Sequence, residues 1–257
     1  MKLLIIGNSF GEDSLRYLHQ IAKAHKVNIK AVNLYIGGCS LYRHYRNMLS
    51  DEAAYDFQIN GFSTKITVSL SKALLSDEWD FILLQQCSPE SGNPNSYEPY
   101  ATALADYVRR YAPKAKLYIN QTWTFETGAP RFKLTAFETP EEMFPAIKEC
   151  YFTMARNIRA DGIIPCGEAM YKLWQRKAEY GIEKVHRDGF HADLGVGRYL
   201  LALTVYATLT DRDVISDSFS DFDVVTTPEA AEAARTVASE VVELYRPINE
   251  ELSKNAK

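Results

Sequence analysis

Cysteine is scarce in this chain of 257 residues: Cys39, Cys87, Cys150 and Cys166 form no CxxC pair and no zinc-ligand spacing. A disulfide framework and a spaced zinc site therefore find no support. The four read as reduced, small core residues, which suits a cytoplasmic protein. No apolar run approaches the roughly 18 residues of a membrane span. Basic runs are missing too, and a net charge of −4 gives no electrostatic case for nucleic acid or a membrane surface. Repeats, low-complexity tracts and linkers are absent. Met1 leads straight into an apolar strand with no signal peptide visible, so the expected location is the cytoplasm, or outside the cell if a leader has been removed.

What is present is an ordinary globular balance, 46% hydrophobic and 24% charged, in a chain long enough for one large domain over residues 1–257. Apolar strands alternate with amphipathic helices. Strands are expected at 2–6, 27–36, 79–85, 116–122 and 163–165, with helices near 13–24, 97–111, 167–180, 194–210 and 228–245. Thr139-Pro140-Glu141-Glu142 has an N-cap, a first-turn proline and a capping-box glutamate, so another helix starts there. This order implies an α/β fold with a central parallel sheet of about five strands and helices on both faces. Tyr55–Ile59, Asn60-Gly61 and Thr64–Val68 read as a small β-hairpin insertion.

In such sheets the site lies outside the carboxyl ends of the strands. Ser9, Gly38, Gln85 and Trp123 all fall at or just past those ends. Ser9 sits in Gly7-Asn8-Ser9-Phe10-Gly11, where the chain leaves the first strand for a helix. Two readings of it stand: an N-cap, or a nucleophile lifted clear of the core. The pentapeptide matches G-x-S-x-G literally, but the elbow of α/β-hydrolases follows several strands and only one precedes Ser9. G-x-G-x-x-G is missing, because position 9 is serine, which weakens a nucleotide-binding reading.

A serine hydroxyl needs a base. His191 can take its proton, and Asp188, three residues earlier, can bond the other ring nitrogen and fix the tautomer. His186 competes as a base, but no acidic residue stands at the same offset before it. His19 reads as structural. His44, in a Tyr/Arg-rich stretch near Gly38, is a candidate pocket-lining residue. The Ser9 and Gly38 backbone N–H groups are candidate oxyanion donors, with the Gln85 or Gln86 side-chain amide as the third. Trp123 could flank a substrate or sit in the core. Tyr42, Tyr45 and Tyr97 fall in loops near the expected site and would suit stacking against a sugar.

Gly7-Asn8-Ser9, then Gly38 after the second strand, then Asp188-x-x-His191 resemble the blocks of the SGNH (GDSL-like) hydrolases in order and place over nearly the whole chain. The resemblance implies a three-layer α/β/α sandwich, a Ser9-His191-Asp188 triad and ester hydrolysis with no cofactor or metal. Asn8 stands where that family often has aspartate. The third block, Gly-x-Asn-Asp, is replaced by Leu83-Leu84-Gln85-Gln86-Cys87-Ser88. That looks like the subgroups, some of them carbohydrate esterases, in which glutamine takes the asparagine's place, and the likeness favours Gln85 over Gln86. The expected partner is a small-molecule or saccharide ester, with a non-catalytic carbohydrate-binding module or an acyltransferase as the alternatives.

Overall fold

Leu3, Leu4, Ile5 and Ile6 are fully buried and form the middle of β1 (Lys2–Gly7). An unbroken apolar run is what a strand covered on both faces requires. The computed structural model describes residues 1–256. After β1 come α1 (Ser9–Leu15), α2 (Leu18–Ala24), β2 (Lys30–Tyr35), α3 (Leu41–Ser50), β3 (Tyr55–Ile59), β4 (Phe62–Val68), α4 (Leu70–Leu75) and β5 (Phe81–Leu84). The second half adds α5 (Tyr100–Tyr111), β6 (Lys116–Asn120), α6 (Pro140–Asn157), β7 (Gly162–Ile164), α7 (Cys166–Arg176), α8 (Val196–Thr210) and α9 (Pro228–Asn255).

The strands form one sheet in the order β4-β3-β2-β1-β5-β6-β7. Five of them, β2-β1-β5-β6-β7, are parallel, as expected. The sheet nonetheless has seven strands rather than about five, because the hairpin is not a separate insertion. β3 pairs antiparallel with β2 and β4 with β3, extending the same sheet. The turn residues Asn60 and Gly61 have φ of 52° and 85°, the left-handed geometry that Asn-Gly favours.

Helices α1, α2, α8 and α9 pack together, with α7 against α8 and α9, while α3, α4 and α5 form a second group. This is the α/β/α layering. α8 is buried along most of its length, between α1 and α2 on one side and α9 on the other. The expected single helix over 13–24 is two, broken at Arg16–Tyr17. There Tyr17 Oη donates to the Leu194 carbonyl at 2.5 Å and Arg16 Nη2 pairs with Asp223 at 2.5 Å. No helix among the described residues is long and apolar enough to cross a membrane.

From β1 the chain first adds β2 on one side; the later strand β5 then pairs on the other. The direction of winding therefore reverses at β1. The carboxyl end of β1 is the switch point of the sheet, where ligand crevices form in open α/β folds.

Candidate active site

Ser9 opens α1 at that switch point and is partly buried. The residue before it fixes the turn. Asn8 is extended (φ −147°, ψ −155°), and its Oδ1 accepts from the Phe10 N–H at 2.9 Å, so Asn8 is the N-cap and Ser9 is not. Close packing sets the two glycines. A Cβ on Gly7 would lie 2.7 Å from Asn33 Oδ1, and one on Gly11 2.9 Å from the same atom. The Ser9 hydroxyl is thus left free of any capping duty.

His191 reaches it from the far end of the chain. Its Nε2 lies 2.8 Å from Ser9 Oγ, and its Nδ1 lies 2.6 Å from Asp188 Oδ2. Asp188 Oδ1 also accepts the His191 backbone N–H at 2.9 Å, which fixes the ring relative to its own main chain. Burial pushes the Asp188 carboxyl up. The bonds from the His191 ring and the His191 and Phe190 amides outweigh it, leaving the group below the usual carboxylate range and charged. Ser9, His191 and Asp188 therefore form a continuous hydrogen-bonded chain.

Two carboxylates hold the histidine loop, and sequence reasoning found neither. Asp13, on α1 and fully buried, accepts from Arg187 Nη1 at 2.9 Å, from Arg198 Nε at 2.8 Å and from the Ala192 N–H at 3.1 Å. The helix that begins with Ser9 is thereby tied to both flanks of His191. Glu126, past the end of β6, accepts from His186 Nδ1 and Lys177 Nζ at 2.9 Å and from Trp174 Nε1 at 3.0 Å. Burial raises its pKa, but the His186 and Lys177 bonds win and bring it down from 4.5 to about 2. His186 is thus committed to the loop's frame, with Thr124 O at 3.1 Å from its other nitrogen.

Several expected site residues lie elsewhere. Gln85 is fully buried, its Nε2 donating to Asn8 Oδ1 at 2.6 Å and its Oε1 accepting from Asn120 Nδ2 at 3.0 Å. It braces the N-cap from below and presents no amide at the surface. Gln86 is equally buried and donates to the Ser96 carbonyl and hydroxyl at 3.0 Å. Trp123 is a core aromatic, stacked on Phe10 at 3.9 Å with its Nε1 donating to the Phe190 carbonyl at 2.8 Å. It supports the histidine loop and does not face a substrate. His44 is also buried, stacked on Tyr55, and its Nδ1 lies 3.0 Å from the Tyr55 hydroxyl. Burial, then the charge of Arg43, lowers its pKa to about 3, so it stays neutral in the interior. Tyr97 is buried against Ser91, whereas Tyr42 is exposed beside Tyr100.

Gly38 stays where a ligand could reach it. It is exposed in the turn after β2 with φ +62°, and a Cβ there would meet nothing within 4 Å. Asn8 Nδ2 donates to the Cys39 carbonyl at 3.1 Å, locking this turn to the Ser9 turn. As the first helical residue, Ser9 has no intrahelical acceptor for its own N–H. Among the described residues no group of three or more His, Cys, Asp or Glu side chains is arranged to hold a metal ion.

Comparison with known proteins agrees with this architecture. A DUF4886 family protein from Bacteroides uniformis superposes with a TM-score of 0.87 at 32% identity, over 95% of each chain. A proposed SGNH hydrolase from Slackia heliotrinireducens superposes at 0.56 with 19% identity, over 81% of this chain and 98% of its own. The psychrotrophic esterase EstA from a Pseudoalteromonas species, in a form inhibited by monoethylphosphonate, gives 0.53 with 13% identity, over 82% and 97%. At such identities these last two show a shared fold. A search of curated proteins finds no match. The profile of the DUF4886 family, a domain of unknown function, matches residues 2–241, and the chain belongs to that family.

Proposed function

We propose that this protein is a serine ester hydrolase with Ser9 as nucleophile, His191 as general base and then general acid, and Asp188 as the residue that orients His191. The observation that carries the reading is the contact chain from Asp188 Oδ2 to His191 Nδ1 at 2.6 Å and from His191 Nε2 to Ser9 Oγ at 2.8 Å. Such a relay gives the hydroxyl a base in reach, and its base a fixed tautomer. The fold shared with an esterase supports it.

Ser9 Oγ attacks the acyl carbonyl as its proton passes to His191 Nε2. The Ser9 and Gly38 N–H groups hold the resulting oxyanion, with no side-chain amide from Gln85. Collapse expels the alcohol, which takes the proton from His191. Water, activated by the same imidazole, then frees the acid from Ser9.

The substrate we propose is a short acyl ester on a carbohydrate. Exposed Tyr42, with Tyr45 and Tyr100 beside it, offers aromatic faces on the helix that follows Gly38. Hydrolysis of a small aryl acetate tests the chemistry. Ser9→Ala and His191→Ala should each lose at least about 10³-fold in kcat, because such groups act as a unit. Wild-type turnover in Ser9→Ala rejects the assignment.

A further inference from the structure

Arg131 belongs to a short 3-10 helix, Pro130–Leu134, that packs on the Ser88–Glu90 turn beyond β5. Its guanidinium carbon stands 3.9 Å from the centre of the Phe190 ring, and that ring lies 3.9 Å from the ring of His191. It is therefore one ring removed from His191, between the turn beyond β5 and the histidine loop. It is only partly exposed, and its Nε is buried with no hydrogen-bond partner. Three other half-buried arginines carry a carboxylate partner: Arg16 pairs with Asp223, Arg176 with Glu240, and Arg198 with Asp13 and Asp223. Arg131 pairs with no carboxylate among the described residues. Glu126, the nearest carboxylate in the chain, is taken up by His186 and Lys177; Asp188 is committed to His191, and Glu90 forms no ion pair.

A half-buried guanidinium with no carboxylate partner favours an anion from outside the chain, which would meet the Nη edge, because Nε is closed to solvent. Its planar fork fits a carboxylate bidentately, and its stacking on Phe190 holds the plane in place. We propose that Arg131 is an anion-recognition residue of this site, and that the preferred ester carries a carboxylate on its alcohol portion, as an O-acetylated uronic acid does. The substrate class rests on the hydrolase reading above; the anion site itself does not.

The experiment compares three esters on the intact protein: an O-acetylated methyl glucuronoside, the matching O-acetylated methyl glucoside, and an aryl acetate. Wild type should favour the glucuronoside over the glucoside by about tenfold or more in kcat/KM, the scale of one charge-assisted contact. Arg131→Met should lose about tenfold more on the glucuronoside than on the aryl acetate, mostly in KM, and Arg131→Lys should recover part of the preference. Equal turnover of the two glycosides by wild type overturns the proposal. So does an equal loss on all three esters in Arg131→Met, which would mean that Arg131 serves only to hold Phe190. Calorimetry with free glucuronate against glucose separates this from the chemistry. Arg131-dependent binding of glucuronate without hydrolysis of any ester keeps the anion site and rejects the hydrolase, whereas aryl acetate turnover without such binding does the reverse.

Discussion

Asp13 and Arg187, 174 positions apart, are joined by two contacts of 2.9 Å from one guanidinium nitrogen to both carboxylate oxygens. Asp13 is fully buried and stands one turn along the helix that Ser9 opens, while Arg187 precedes His191 by one turn of its loop. The meeting of hydroxyl and imidazole is therefore built into a pair that takes no part in the reaction. Asp13→Asn should destabilise the fold by about 3 kcal/mol, because Arg187 and Arg198 lose a buried counter-charge. Denaturant titration measures that. In the fraction still folded, phosphonate labelling of Ser9 should slow at least about tenfold as the loop loosens; unchanged labelling would show that His191 is held by other contacts.

Asn8 has a use that aspartate cannot serve. Its Nδ2 donates to the Cys39 carbonyl while its Oδ1 accepts from Phe10 and Gln85. Asn8→Asp puts a carboxylate oxygen against a carbonyl oxygen 3.1 Å away and releases the turn that carries Gly38. The expected result is a kcat lower by about tenfold or more with KM little changed, as for loss of an oxyanion donor. A rise in KM alone would place Gly38 outside the oxyanion contacts.

Glu126 contributes to stability at the acid end of the pH range. Its folded value of about 2 lies below the ordinary 4.5, so protonation is harder in the folded state than in the unfolded one. Its contribution is complete above pH 4.5 and disappears as the pH falls toward 2. Glu126→Gln should lower stability at pH 7 and flatten its decline across that window. Parallel stability curves for variant and wild type would contradict this.

The architecture was legible in the sequence because strands buried on both faces leave unbroken apolar runs, as at Leu3–Ile6 and Ile82–Leu84. The cap at Thr139 marked a helix start directly. α3 was not legible: of the residues that Leu41–Ser50 buries fully, Leu41, His44 and Asn47, two are polar. The Ser9 turn and the Asp188-x-x-His191 spacing are local signals, and they pointed to residues that the fold brings together. The depth of a side chain is not local. Trp123 and His44 look in sequence like aromatic groups in loops near the site, yet tertiary packing buries both. Gln85 ends its strand at the expected place, but the direction of its amide is decided by Asn8 and Asn120, from two other strand ends. Asp13 reads as one more acidic residue on a short helix, and nothing near it in the chain announces Arg187 or Arg198.

The most direct test of the relay is covalent capture by a fluorophosphonate followed by intact-mass and peptide analysis. Wild type should gain a single adduct on Ser9, and Ser9→Ala should gain none. His191→Ala should label far more slowly, since the hydroxyl 2.8 Å from Nε2 loses its base. An adduct on another residue, or labelling of His191→Ala at the wild-type rate, would contradict the account.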